Sequence, residues 1–169
     1  GWVTKPDWNW RQPYGVPSDP QEPAVHITFN EAEIFCRWLG QRLPTRQEWI
    51  RHGYIEMRDN PSPPFVSGRT YLYPTGDIPT GANCLNACGP ANGNPAGKRD
   101  FSDHLTRGYG HAAVGTTEAG VNGLYDMGAN VWEWASLDHG QSAATMGGSW
   151  WYGAAQMRAD YGATKPRDM

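Results

Sequence analysis

Gly123-Leu124-Tyr125-Asp126-Met127-Gly128-Ala129-Asn130-Val131-Trp132-Glu133-Trp134, followed after a short loop by Gly147-Gly148-Ser149-Trp150-Trp151, is the stretch on which the reading of this chain turns. Glycines, acids, an asparagine and four tryptophans crowded together suit neither a regular helix nor a regular strand. Glycine lets the backbone take positive φ or approach a neighbouring chain closely. Tryptophan brings a large apolar area and one N–H that needs a partner when buried. The combination describes an irregular, tightly packed loop core around which the remaining chain is arranged.

The bulk composition agrees. A length of 169 residues suits one domain with a sizeable core. Charged residues are only 18% while aromatics reach 12%, which separates this glycine- and proline-rich chain from disordered ones. A formal charge of −3 gives no basic footprint, so nucleic acid is not expected as a partner. No apolar run approaches the length that crosses a bilayer.

Working outward, residues 1–24 carry Trp2, Trp8 and Trp10 among five prolines and read as an extended arm whose aromatics plug grooves on the domain. Residues 24–29 (AVHITF) alternate and read as a short strand. Asn30 with Glu33 forms a candidate capping box for a first helix, with Ala32, Phe35, Trp38 and Leu39 as its apolar face and Gly40 as its stop. Thr45 with Glu48 caps a second helix, on which Trp49 and Ile50 face inward and which Gly53 ends. The pair lacks the exposed basic face of a DNA-reading helix–turn–helix. Cys36 reads as a buried core thiol, whereas Cys84 and Cys88, in a loop rich in Gly and Asn, could pair in an oxidising compartment.

Residues 60–120 are almost entirely turn chemistry, too long to be structureless inside a compact domain. Two readings of their Asn and Asp residues stand side by side. Asn83, Asp100 and Asp103, with Asp126, Asn130 and Glu133 downstream, either form hydrogen-bonded loop corners or belong to the oxygen-rich ligand set of Ca²⁺. No EF-hand loop is present. His26, His52, His104, His111 and His139 are scattered without metal-ligand spacing, and no nucleophile–base arrangement or phosphate loop stands out.

Residues 30–49 (NEAEIFCRWLGQRLPTRQEW), 122–134 (NGLYDMGANVWEW) and 147–150 (GGSW), in that order, resemble the formylglycine-generating enzyme or sulfatase-modifying factor family. The upstream Trp10-Arg11-X-Pro13-X-Gly15 is similar too, and the likeness covers roughly residues 8 to 160. Its relatives include a pyoverdine maturation protein, the C-terminal domain of sulfoxide synthases and diversified ligand-binding proteins. The resemblance implies an α+β, C-type-lectin-like domain over residues 1–169, loop-rich, with two short helices and short antiparallel strands. The family's first and last strands are expected to lie outside this sequence. It also implies two structural Ca²⁺ sites: one from Asp126 and Glu133 with the carbonyls of Ala129 and Val131, the other from Asn83 and Asp103 with the carbonyls of Cys84 and Leu105. The family usually has glycine where Ala129 stands. If that position needs positive φ, alanine costs about 1 kcal/mol there, or the turn shifts by one residue.

The chemical departure is larger. Members that make formylglycine carry two copper-binding cysteines three and eight residues beyond the serine of the GGS motif, and here those positions hold Tyr152 and Met157. Soft Cu(I) wants thiolates, so no copper is expected, and nothing in the sequence recruits Cys84 and Cys88 to that place. What is left is a candidate ligand surface of Trp132, Ser149, Trp150, Trp151, Tyr152, Gln156, Met157 and Arg158. Of its tryptophans, Trp132 and Trp150 are expected, with Trp134, to be buried, leaving Trp151 and Tyr152 as contacts. The function expected is an accessory or tailoring domain for a peptide-derived or small-molecule ligand. An oxidative tailoring enzyme of the pyoverdine-maturation type and a diversified lectin-like receptor are the alternatives. A calcium-stapled loop domain in which Cys84 and Cys88 can pair fits a periplasmic or otherwise extracytoplasmic location.

Overall fold

The first helix starts two residues earlier than the Asn30–Glu33 pair suggests. In the computed structural model, which describes residues 5–85, 88, 110–137 and 142–169, helix α1 spans Phe29–Trp38 and its N-cap is Thr28. The Thr28 hydroxyl accepts the Glu31 N–H at 3.2 Å, and the Glu31 carboxylate accepts the Thr28 N–H at 2.7 Å, closing the capping box. The strand expected over residues 24–29 is absent. His26 sits at φ +58°, which breaks an extended run, and the Ile27 carbonyl accepts the Trp134 indole N–H at 3.1 Å instead of a ladder bond.

The buried side of α1 is Phe29 and Ala32, with free Cys36 half-buried behind them. These three fall at i, i+3 and i+7 and mark one face. The expected apolar face is corrected accordingly: Phe35, Trp38 and Leu39 are exposed, Trp38 to 77%, and Cys36 is not a sealed core thiol.

Helix α2, Arg46–Tyr54, is capped as the sequence reads, by Thr45 and Glu48. The Arg42 guanidinium forks onto the same Glu48 carboxylate with two bonds of 2.6 Å and, as the leading cause, holds it down to about 2. Gly53 lies inside the helix and does not stop it; the Met127 methyl and the Trp49 ring pack where a Cβ would stand, at 3.3 and 3.4 Å. The end is set by Asn122, whose amide donates to the carbonyls of His52 and Ile55 at 2.8 and 2.7 Å and accepts the Met57 N–H at 2.7 Å.

Strands β1 (Glu133–Ser136), β2 (Ser142–Met146) and β3 (Ala163–Pro166) form one antiparallel sheet in the order β1-β2-β3. Glu133 pairs with Met146 in the first ladder and Thr145 with Ala163 in the second. The alanines of β1 and β2 are small enough for α2 to lay Trp49 and Tyr54 over Ala135, Ala144 and Met146, forming one core cluster. Ser136 N–H donates to the Pro44 carbonyl at 2.8 Å and fixes the start of α2 to β1. A second cluster joins Ala82, Cys84, Cys88, Ala129, Ala154 and Met157. The segment 123–134 contributes Met127 to the first cluster and Ala129 to the second. This is a loop-rich α+β fold with two short helices and a short antiparallel sheet, as expected.

Trp8 and Trp10 of the N-terminal arm do not plug grooves. Trp8 rests edge-on against Tyr14, 5.5 Å between centroids, and Trp10 remains 48% exposed; Trp2 lies outside the described residues. Among the described residues no helix is long and apolar enough to cross a membrane.

Candidate functional site

Three non-glycine residues of the stretch 123–134 adopt left-handed backbone: Asp126 (φ +59°), Ala129 (φ +59°) and Asn130 (φ +50°). Alanine therefore does occupy the positive-φ position, and the turn has not shifted away from it. Its strain is offset by what the conformation places. Ala129 N–H donates to the Gly147 carbonyl at 2.8 Å and Asn130 N–H to the Asn83 carbonyl at 3.0 Å. The Asn130 side chain, 1% exposed, accepts from Ala112 N–H at 2.7 Å and from the Asn83 amide at 3.0 Å, while its carbonyl accepts Trp150 N–H at 2.9 Å. One asparagine thus ties residues 83, 112 and 150 into a single unit. Gly147 is indispensable in it, at φ +84° with the Met127 carbonyl oxygen 2.7 Å from where a Cβ would be.

The two acids of the loop differ in setting. Asp126 accepts the Thr117 hydroxyl at 2.6 Å and the Gly115 N–H at 2.7 Å. Among the described residues, Glu133 accepts only the Trp49 indole N–H, at 2.6 Å. Its residue keeps some solvent contact, but its carboxyl points inward, and burial pushes it up to about 7; the Trp49 bond opposes this and the Asp126 charge adds to it. Among the described residues no hydrogen bond ends on the carbonyls of Ala129 or Val131. Beyond Asn130, Asn83 is fully buried; its amide donates to the Gly110 carbonyl and to Asn130, and its side-chain oxygen has no partner among the described residues. Asp103 and Leu105, expected beside it, lie outside the described residues, as do Asp100, His104 and His139. Among the described residues no three His, Cys, Asp or Glu side chains converge as metal ligands, so carbonyls would have to complete either site.

Past the GGS turn the aromatic residues gather. Trp132 lies between Tyr152, edge-on at 5.6 Å, and Tyr161, stacked at 5.9 Å. Trp150 and Trp151 meet edge-on at 5.3 Å, and Trp151 is 51% exposed. Trp132, Trp134 and Trp150 are half-buried, not sealed. Ser149 is buried as a turn former: its carbonyl accepts Tyr152 N–H at 3.0 Å and its hydroxyl accepts Trp151 N–H at 3.4 Å. Gln156 is half-buried against Gly148, and Arg158 forks onto Asp160 with two bonds of 2.8 Å. Tyr161 joins this face without any signal in the sequence spacing.

The sequence profile of the sulfatase-modifying factor enzyme 1-like domain matches residues 2–168. The chain belongs to this family. The inactive C-alpha-formylglycine-generating enzyme 2 of Mus musculus is 29% identical over 175 residues, covering 96% of this chain and 49% of the relative. The formylglycine-generating enzyme of Streptomyces coelicolor is 30% identical over 145 residues, 80% of this chain and 40% of that protein. Hercynine oxygenase of Mycolicibacterium thermoresistibile is 33% identical over 119 residues, 69% of this chain and 21% of that protein. The chain thus spans half or less of the length of these relatives. Among solved structures, PvdO from Pseudomonas aeruginosa matches with a TM-score of 0.58 at 18% identity, over 90% of this chain and 59% of that one. At that identity the likeness speaks for the fold.

Within this sulfatase-modifying-factor-like domain, the two positions at which the resemblance calls for cysteines are now placed. Tyr152 is half-buried at the aromatic face. Met157 is completely buried, so it is a floor to the face and not one of its contacts. Its carbonyl accepts the Tyr54 hydroxyl at 2.8 Å; burial, then the carboxylates of Glu133 and Asp160, push that phenol up and keep it a donor. The donor set of a copper–thiolate pair is not present at 152 and 157. The structure does bond Cys84 to Cys88, with Cα atoms 6.0 Å apart.

Proposed function

We propose that this domain is an accessory or tailoring module that holds a peptide-derived or small-molecule ligand on the face of Trp132, Trp151, Tyr152 and Tyr161, without the copper–cysteine chemistry of formylglycine synthesis. The observation that carries this reading is the pair Tyr152 and Met157: a phenol at the face and a sealed thioether beneath it stand where the family's thiolates are expected. Aromatic rings already packed edge-on and stacked present contact area at little further entropic cost. The similarity to a relative named as inactive supports the same direction.

Calcium belongs to the proposal. Asp126 and Glu133, with the carbonyls of Ala129 and Val131, would hold one ion; Asn83 through its unpartnered oxygen, with the Cys84 carbonyl, would supply part of a second. A bound Ca²⁺ supplies charge that keeps a buried carboxylate ionised and staples the loop beneath the ligand face. The disulfide and the proposed calcium favour an extracytoplasmic compartment.

Likeness to hercynine oxygenase keeps oxidative tailoring as a second reading of the same face. One experiment tests both. Calcium-loaded protein is screened by tryptophan fluorescence and calorimetry against a library of short peptides and peptide-derived small molecules, and binders are incubated in air and weighed by mass spectrometry. Binding that Trp151→Ala and Tyr152→Ala abolish, with masses unchanged, supports a binding module. A mass change supports tailoring. Binding that ignores both substitutions overturns the assignment of the face.

A further inference from the structure

Three sulfur atoms lie together under the ligand face. Cys84, Cys88 and Met157 are 0%, 1% and 0% exposed and share one cluster with Ala82, Ala129 and Ala154. The Cys88 Sγ stands 3.5 Å from the Met157 Sδ. Met157 is held there from two sides: its carbonyl by the Tyr54 hydroxyl, and its methyl by Gly128, where a Cβ would meet it at 2.7 Å. The other loop is pinned as well, since Leu85 N–H donates to the Tyr152 carbonyl at 2.9 Å. Chain positions 69 residues apart are thereby brought into sulfur–sulfur contact.

We infer that the reduced Cys84–Cys88 pair, with the Met157 thioether, forms a soft-metal site that takes Cu(I). The donor chemistry selects the metal: two thiols and a thioether suit a soft monovalent ion. A Cα separation of 6.0 Å lets both cysteine sulfurs reach one ion. The steps balance. A dithiol reductant gives two electrons and two protons to the Cys84–Cys88 bond and closes into its own cyclic disulfide. Cu(I) then displaces the two thiol protons to solvent as it binds. The thiol pair comes from a different loop than the exposed rings of the ligand face, and Met157 is the one residue the two sites share.

The test uses the whole chain in a Cys36→Ser background, which removes the third thiol. After reduction with dithiothreitol and its removal without air, the protein competes with bicinchoninate for Cu(I), and circular dichroism reports folding in the same samples. The expected result is one Cu(I) per reduced chain, none in the oxidised chain, loss of binding in Cys88→Ser, and binding weakened about tenfold or more in Met157→Leu, which keeps the volume but removes the thioether. Reduced, folded protein that binds no Cu(I) overturns the inference. So does equal affinity in Cys88→Ser or Met157→Leu. Unfolding on reduction that Cu(I) does not reverse also overturns it and leaves the disulfide a structural staple.

Discussion

Glu133→Gln makes a sharp prediction because the carboxyl of Glu133 is held at a cost. Its place in the fold pushes it from the usual 4.5 up to about 7, chiefly by burial. A raised carboxyl contributes stability that is complete below about 4.5 and is lost as pH rises through about 7. The gap corresponds to about 3 kcal/mol between the two limits. The strongly lowered carboxylates act in another window: Glu48 and Glu56, both held at about 2, give stability that is present above 4.5 and lost as pH falls toward 2. Metal-free wild type, measured by urea unfolding in chelator, should therefore weaken between pH 5 and pH 8. Glutamine keeps an oxygen for the Trp49 indole and cannot ionise, so the variant should lose this slope and exceed wild type at pH 8 by up to about 3 kcal/mol. Calcium should restore wild type at pH 8, by about 2.7 kcal/mol at a hundred times its Kd, and stabilise the variant less, through its second site alone. Metal-free wild type that gains stability from pH 5 to pH 8, or a variant weaker than wild type at pH 8, would refute the reasoning.

The remaining predictions concern single positions. Thr28→Ala should cost about 1 kcal/mol in urea unfolding as the cap of α1 is lost, while Asn30→Ala should change stability by less than about 0.5 kcal/mol. Gly147→Ala should cost at least about 2 kcal/mol, since it forces a side chain into φ +84° and against the Met127 carbonyl. Glu56 is fully covered and accepts from Arg58 and from Asn122 N–H, so Arg58→Ala should destabilise by about 2 kcal/mol and raise the midpoint pH of acid unfolding.

How much of this was legible in the sequence differs from element to element. Helix α2 was, because Thr45 and Glu48 form the sole capping pair in reach and Trp49 follows at a buried position. Helix α1 carries two overlapping pairs, Thr28–Glu31 and Asn30–Glu33, and local pattern does not rank them. Its buried face was misjudged for a similar reason: Phe29, Ala32 and Cys36 compete with the bulkier Phe35, Trp38 and Leu39, and hydropathy favours the wrong set. Strand β2 reads SAATM, with alanines chosen for room under Trp49 and not for strand propensity. The departure at Ala129 correctly marked a strained turn. The contact of Cys88 with Met157 and the stacking of Tyr161 on Trp132 had no local signal, since both join segments far apart in the chain.

The central proposal is that this domain, with Tyr152 and Met157 where the resemblance calls for cysteines, works as a calcium-stapled ligand domain. Elemental mass spectrometry tests it most directly, on full chain purified without chelators and with the Cys84–Cys88 bond verified intact by thiol titration. The account predicts retained calcium and copper far below one atom per chain. Copper near one atom per disulfide-bonded chain, or no calcium at all, would contradict it.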